Sequence, residues 1–138
     1  MINTGVAQQE DLFSGMRALT VEDEGITQMQ LAKILRGAGI EQIGLATSGP
    51  QGVAIALKER PNIILMDINM PGEYNGLEAA RRILAEYRAC IVMLTAYADY
   101  MDQAAEIGVC GYVIKPLDRA TLLHHLRKAL AAFEERQA

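Results

Sequence analysis

Five polar side chains stand directly after apolar runs of the sequence. The runs end at Glu22 and Asp23, at Asp67, at Thr95 and at Lys115. Carboxylates gathered at one place repel each other strongly at an effective dielectric constant of about 20, unless a cation lies among them. Oxygen ligands favour Mg²⁺ over zinc or copper. A carboxylate, a hydroxyl, an amine and a divalent cation together suit phosphoryl transfer, in which a carboxylate can be the covalent acceptor.

The apolar runs alternate with segments of helical periodicity, which predicts how these side chains are positioned. Strands are predicted at 17–22, 40–47, 63–67, 91–95 and 112–114. The helices that follow are predicted around Leu31–Ala38, from Pro50 towards Arg60, around Leu77–Tyr87, at 100–107 and from Arg119 to about Glu135. Five strand–helix units predict an α/β fold, a doubly wound five-stranded parallel sheet with helices on both faces. In such a fold ligands bind at the carboxyl ends of the strands.

Length and composition bound the class of protein. A chain of 138 residues, 51% of them hydrophobic, is expected to be one domain that needs neither disulfides nor metal for its core. The net charge of −4 and the lack of a Lys/Arg cluster argue against direct nucleic-acid binding by this domain. No apolar run approaches the roughly 20 residues that span a bilayer. We expect a cytoplasmic protein with a flexible extension at 1–15 and a folded domain at 16–135.

Four segments of the sequence resemble the receiver domain of bacterial two-component response regulators. They are LTVEDE at 19–24, IILMDINMP at 63–71, IVMLTA at 91–96 and GYVIKP at 111–116. Their order, spacing and strand positions match that family over residues 16–133. The resemblance implies a flavodoxin-like sheet with strand order 2-1-3-4-5, and a signalling switch that is not an enzyme beyond its own phosphorylation and dephosphorylation.

The resemblance also implies roles for the acidic residues. Asp67 would accept a phosphoryl group from a sensor histidine kinase, a phosphotransfer protein or a small phosphodonor. Asp23, Asp67 and the backbone carbonyl of Asn69 would bind Mg²⁺ directly, and Glu22 would act through water. Mg²⁺ is therefore the expected cofactor.

The remaining site residues are implied to carry the switch. Lys115 would hold the phosphoryl oxygens, and the Lys115–Pro116 peptide bond would be cis. Phosphorylation would give Thr95 and Lys115 a partner that they lack, Thr95 would turn towards the phosphoryl group, and Tyr112 would move inward. The surface of the fourth helix, fifth strand and fifth helix would then change and dock an effector protein or a second copy of the chain.

Two alternatives stay open, and the pattern departs from the family at one loop. The chain could be the N-terminal receiver part of a longer regulator with a C-terminal nucleic-acid-binding module. A Mg²⁺-dependent phosphatase with an aspartate nucleophile shares the chemistry, but its Asp-x-Asp pattern after the first strand is absent at 22–24. The loop at 71–76 is one residue longer than the common pattern and flanks the site.

Overall fold

Strands and helices alternate through residues 12–137, the part of the chain that the computed structural model describes. The strands are β1 (Arg17–Val21), β2 (Glu41–Ala46), β3 (Ile63–Asp67), β4 (Cys90–Thr95) and β5 (Gly111–Ile114). The helices are α1 (Gly25–Gly37), α2 (Gly49–Glu59), α3 (Gly76–Glu86), α4 (Met101–Ile107) and α5 (Arg119–Gln137), with a 3₁₀ turn at Ala98–Tyr100 before α4. None of these helices is both long and apolar enough to cross a membrane.

The strands form one parallel sheet in the order β2-β1-β3-β4-β5, which confirms the predicted fold class and strand order. Its register decides which side chains meet beyond the carboxyl ends. Val21 lies opposite Met66, so the residues that follow them come out side by side. Asp67 lies opposite Leu94, and Thr95 lies opposite Ile114. The polar residues that follow β1, β3, β4 and β5 therefore share one edge of the sheet.

Apolar side chains fill both faces of the sheet, as a doubly wound fold requires. Successive residues of β3 point to opposite faces. Leu65 belongs to the core shared with α1 and α5, whereas Ile64 and Met66 belong to the core shared with α3. All five residues of β3 are buried. Each of its four apolar side chains contributes about 1.5–3 kcal/mol on burial, so the central strand holds Asp67 on a rigid support.

The segment before β1 contains a core residue at a position where a flexible extension was expected. Residues 1–11 of the expected flexible extension lie outside the described residues. Phe13, which belongs to the same predicted segment, is only 3% exposed and packs in the core on the α1–α5 face. The Arg127 guanidinium lies 5.9 Å from the centre of its ring. The folded unit therefore begins before Met16, because Phe13 closes this end of the core.

Candidate functional site

Three carboxylates meet beyond the ends of β1 and β3. Glu22, Asp23 and Asp67 each offer one oxygen, and these oxygens all lie within 4.8 Å of one another. Glu22 is fully buried and Asp67 is 4% exposed, whereas Asp23 faces solvent. The pairing of β1 with β3 brings them together, because Glu22 and Asp67 follow directly after paired residues. The acidic cluster predicted from the sequence is thus present in the fold.

The ammonium of Lys115 lies against this cluster. Its Nζ is 2.9 Å from Glu22 Oε1, 3.3 Å from Glu24 Oε1 and 3.5 Å from Asp67 Oδ2. The side chain is 15% exposed. Its backbone N–H donates to the carbonyl of Thr95 at 2.7 Å, which fixes the end of β5 against β4. The peptide bond between Lys115 and Pro116 is cis, the conformation that the family resemblance implies.

Burial and charge set the protonation of the site. Burial, together with the neighbouring Glu22 carboxylate, raises the pKa of Asp67 from 3.8 to about 6, although the Lys115 ammonium and the N–H of Asn69 oppose the shift. Burial alone would lower the pKa of Lys115, but its hydrogen bond to Glu22 and the charge of Asp67 outweigh burial and raise it. At pH 7 Asp67 is therefore mostly ionised and Lys115 is charged.

The donor set suits a hard divalent cation. Glu22 Oε1 is buried, and the Lys115 ammonium at 2.9 Å is its one polar partner among the described residues. Its other oxygen accepts the N–H of Glu24 at 3.0 Å, so the carboxylate is held in place. Buried carboxylates are costly unless positive charge neutralises them, and the single ammonium of Lys115 does not balance three carboxylates. The oxygens of Glu22, Asp23 and Asp67 therefore fit Mg²⁺, which prefers oxygen ligands.

A second group of contacts surrounds Thr95, which is fully buried at the end of β4. Its Oγ1 accepts the side-chain N–H of Asn69 at 3.4 Å and the backbone N–H of Tyr97 at 3.2 Å. The Tyr112 hydroxyl donates to the carbonyl of Tyr97 at 2.6 Å. The Tyr100 hydroxyl donates to Asn69 Oδ1 at 3.3 Å. Tyr112 is therefore joined to the segment after Thr95 and not to the carboxylates.

The loop before α3 closes tightly on the backbone of Asp67. A Cβ at Gly76 would overlap the carbonyl oxygen of Asp67, so only glycine fits there. The Gly76 N–H donates to the carbonyl of Ile68 at 2.9 Å, and the side chain of Asn75 caps α3 by accepting the N–H of Glu78 at 3.1 Å. The longer loop at 71–76 thus still delivers a glycine and a capping residue beside the site.

Two residues that contact the site, Glu24 and Tyr100, have no role predicted from the sequence. Glu24 shares Lys115 with Glu22, and its only signal in the sequence is that it is the third consecutive acid. Tyr100 reaches Asn69 across 31 positions, and no spacing in the sequence indicates that contact. Both contacts depend on side-chain reach in the folded chain.

The comparisons with known proteins agree with this geometry. The sequence model described as response regulator receiver domain matches residues 18–127. The transcriptional regulatory protein PdtaR of Mycobacterium tuberculosis is 34% identical over 134 residues, which cover 96% of this chain and 65% of PdtaR. A protein-glutamate methylesterase/protein-glutamine glutaminase of Archaeoglobus fulgidus is 38% identical over 105 residues, which cover 73% of this chain and 30% of that enzyme. The chain thus spans less than two thirds of either relative.

A solved structure extends the comparison to three dimensions. The crystal structure of the CheX-CheY-BeF3-Mg2+ complex from Borrelia burgdorferi contains a chain that superposes with a TM-score of 0.78 at 25% identity, over 89% of this chain and 92% of that chain. Sequence, topology and the strand-end residues thus agree, and the chain belongs to the response regulator receiver domain family.

Proposed function

We propose that this chain is a cytoplasmic phosphorylation-dependent switch in which Asp67 accepts a phosphoryl group from a histidine of a kinase or phosphotransfer protein. The observation that carries the proposal is the setting of Asp67, a buried carboxylate at the end of the central strand. It lies among acidic oxygens on one side and 3.5 Å from the Lys115 ammonium on the other. A nucleophile and a fixed positive charge stand together, as phosphoryl transfer requires.

The metal ligands follow from the same cluster. We assign Asp23, Asp67 and the backbone carbonyl of Asn69 as direct ligands of Mg²⁺, and Glu22 as a residue that acts through water. Bound Mg²⁺ supplies positive charge that neutralises the phosphoryl oxygens. Glu22 is fully buried and accepts the N–H of Glu24, so its negative charge is held in place beside the metal position. The solved Borrelia burgdorferi complex, which contains Mg²⁺ and BeF3, includes a chain of this fold and so supports a magnesium site in this chain.

Phosphoryl transfer to Asp67 forms one bond to phosphorus and breaks another. An ionised oxygen of Asp67 forms a bond to phosphorus while the N–P bond of the donor's phosphohistidine breaks. The departing imidazole nitrogen keeps the electron pair of that bond and binds a proton from solvent. Lys115 exchanges its carboxylate contacts for a phosphoryl oxygen. The pKa of about 6 for Asp67 leaves the nucleophile ionised at neutral pH.

The surface of α4, β5 and α5 would change on phosphorylation and bind the partner. Thr95 would turn its hydroxyl to the phosphoryl group, and Tyr112 would exchange its contact with the carbonyl of Tyr97 for an inward position. Large apolar side chains are exposed here, with Met101 of α4 at 50%, Ile114 of β5 at 43% and Tyr97 of the segment before α4 at 56%. Such a surface suits an effector protein or a second copy of the chain.

The effect of phosphorylation depends on which protein or attached domain this domain contacts. The matched part of PdtaR lies in a protein named as a transcriptional regulator, and the matched part of the Archaeoglobus protein lies in an enzyme. We propose that this domain controls such an output through contact and itself mediates only its own phosphorylation and dephosphorylation. The match of the family model favours this function over the aspartate-nucleophile phosphatase.

Intact-mass spectrometry after incubation with Mg²⁺ and acetyl phosphate tests the proposal. We expect the wild type to gain the mass of one phosphoryl group and to lose that gain when EDTA replaces Mg²⁺. Asp67→Asn should stay unmodified, because an amide oxygen is a poor nucleophile. Asp102→Asn makes the same chemical change on the exposed surface of α4 and should react like the wild type. A wild type that never reacts, or an Asp67→Asn variant that does, would refute the assignment.

A further inference from the structure

We propose that Tyr100 is a positioning residue for phosphoryl acceptance, and that it acts on Thr95 through the side-chain amide of Asn69. The inference rests on the proposed function, because it concerns the same phosphoryl group. It adds a residue from the turn before α4 to a site otherwise built from strand ends.

The contacts form a chain of two hydrogen bonds. The Tyr100 hydroxyl donates to Asn69 Oδ1 at 3.3 Å, and Asn69 Nδ2 donates to Thr95 Oγ1 at 3.4 Å. The ring of Tyr100 is half-buried and packs against the core on the α3 face, which restrains its hydroxyl. Asn69 is exposed, and these are the two hydrogen bonds of its side chain among the described residues. A phenol hydroxyl is a stronger hydrogen-bond donor and a weaker acceptor than an aliphatic hydroxyl, so Tyr100 favours Oδ1 as its partner and leaves Nδ2 for Thr95.

The orientation of this amide decides what the Thr95 hydroxyl can do. A hydroxyl has two acceptor sites and one proton to donate. Both acceptor sites of Thr95 Oγ1 are used, one by Asn69 Nδ2 and one by the N–H of Tyr97 at 3.2 Å. The hydroxyl proton is then left for a third partner. Asp67 ends the adjacent strand one register position away, so an oxygen of a phosphoryl group on Asp67 can be that partner.

Removal of the Tyr100 hydroxyl would free the amide to turn over. An amide turned by half a rotation presents Oδ1 to Thr95 in place of Nδ2. The Thr95 proton would then point at Asn69, and it would have to leave that contact before it could stabilise the phosphoryl group. Tyr100 thus favours the one amide orientation that leaves the Thr95 proton available, which speeds acceptance of the phosphoryl group.

The test compares rates of phosphoryl gain from acetyl phosphate at saturating Mg²⁺, followed by intact mass. Tyr100→Phe keeps the packed ring and removes only the hydroxyl, and we expect the rate to fall about 2- to 10-fold, the range of one net hydrogen bond. Tyr87→Phe is the matched control. The Tyr87 hydroxyl is buried without a hydrogen bond in the described structure. Tyr87 itself precedes β4, at the opposite end of the sheet from the site. That variant should react at the wild-type rate.

A double-mutant cycle separates positioning from a general structural effect. In an Asn69→Ala background no amide connects Tyr100 with Thr95, while the backbone carbonyl of residue 69 remains. Tyr100→Phe should then cause no further loss of rate. A wild-type rate for Tyr100→Phe, or a loss that multiplies with that of Asn69→Ala, would overturn the inference. Failure of the wild type itself to be phosphorylated would instead refute the proposed function.

Discussion

Replacement of Asp67 by Asn should make the metal-free protein more stable at neutral pH. The carboxylates of Glu22, Asp23 and Asp67 lie within 4.8 Å of one another, and at an effective dielectric constant of about 20 each charge pair at that distance costs about 3 kcal/mol. Lys115 offsets part of this repulsion. Asn keeps the size of the side chain and removes one of the charges.

The pKa of Asp67 gives an independent magnitude. Its rise from 3.8 to about 6 corresponds to a cost of about 3 kcal/mol for the ionised native state. Solvent reaches the open side of the cluster at Asp23, and this screening lowers the expected effect. We expect Asp67→Asn to raise the free energy of unfolding by about 1–2 kcal/mol at pH 7.5.

The way in which stability depends on pH shows when Asp67→Asn should be more stable than the wild type. Below about pH 4 Asp67 is protonated in both the native and the unfolded protein, and its charge contributes nothing. As the pH rises from about 4 to 6 the unfolded chain ionises first, so the wild type loses stability. Above about pH 6 the loss is complete. The advantage of Asp67→Asn should therefore be absent near pH 4 and fully developed at pH 7.5.

Urea unfolding in EDTA at the two pH values measures this difference. Asp102→Asn, on the exposed surface of α4, should change stability by at most about 0.5 kcal/mol. Added Mg²⁺ should stabilise the wild type more than Asp67→Asn, because the variant lacks one carboxylate ligand. The reasoning is refuted if Asp67→Asn is no more stable than the wild type at pH 7.5, or if its advantage is the same at both pH values.

Three further predictions concern residues around the site. Gly76→Ala should lower the free energy of unfolding by about 2–4 kcal/mol in urea, because its Cβ would overlap the Asp67 carbonyl oxygen. Asn75→Ala should cost about 1 kcal/mol in the same assay, because α3 loses the side chain that caps it. Glu24→Gln should speed phosphoryl gain from acetyl phosphate, because Lys115 loses a competing carboxylate 3.3 Å away.

Each of these variants has a control on the same chain. Gly25→Ala places a methyl group where no atom of residues 12–137 lies within 4 Å, apart from chain neighbours and its own helix backbone, so it should leave stability nearly unchanged. Ser48→Ala removes the cap of α2 and should cost as much as the cap of α3, without touching the site. Glu41→Gln, exposed on β2, should not change the rate. Equal effects of Gly76→Ala and Gly25→Ala, or of Glu24→Gln and Glu41→Gln, would contradict the corresponding prediction. For Asn75→Ala, a cost well above that of Ser48→Ala would show that more than a helix cap is lost.

The sequence predicts this fold and the acidic site well, because both depend on local patterns and on topology. The apolar run at 63–66 is buried on both faces, which is typical of a central parallel strand, and the structure has β3 there with every residue buried. Once that strand is placed, the chain direction of a parallel sheet brings Asp67 and the residues after β1, β4 and β5 to one edge. No side-chain coordinates are needed for that step.

The features that the sequence does not reveal depend on single contacts over long separations. Phe13 and its neighbour Leu12 are a single apolar pair next to polar residues, so no periodicity marks them as part of the core. The contact of Tyr100 with Asn69 requires the turn at Ala98–Tyr100 to fold back over the end of β3. The contact between Glu24 Oε1 and the Lys115 ammonium depends on how far two long side chains reach. Patterns of residue type carry no information about such distances.

The contacts of Lys115 and Thr95 change how the switch must work. The resemblance implies that phosphorylation brings both residues a new partner, and in the structure Lys115 already contacts three carboxylates while Thr95 Oγ1 accepts two hydrogen bonds. A phosphoryl group on Asp67 would therefore exchange one set of contacts for another. The free energy of switching is then a difference between two sets of similar size, which keeps it within the few kcal/mol that one phosphorylation can shift.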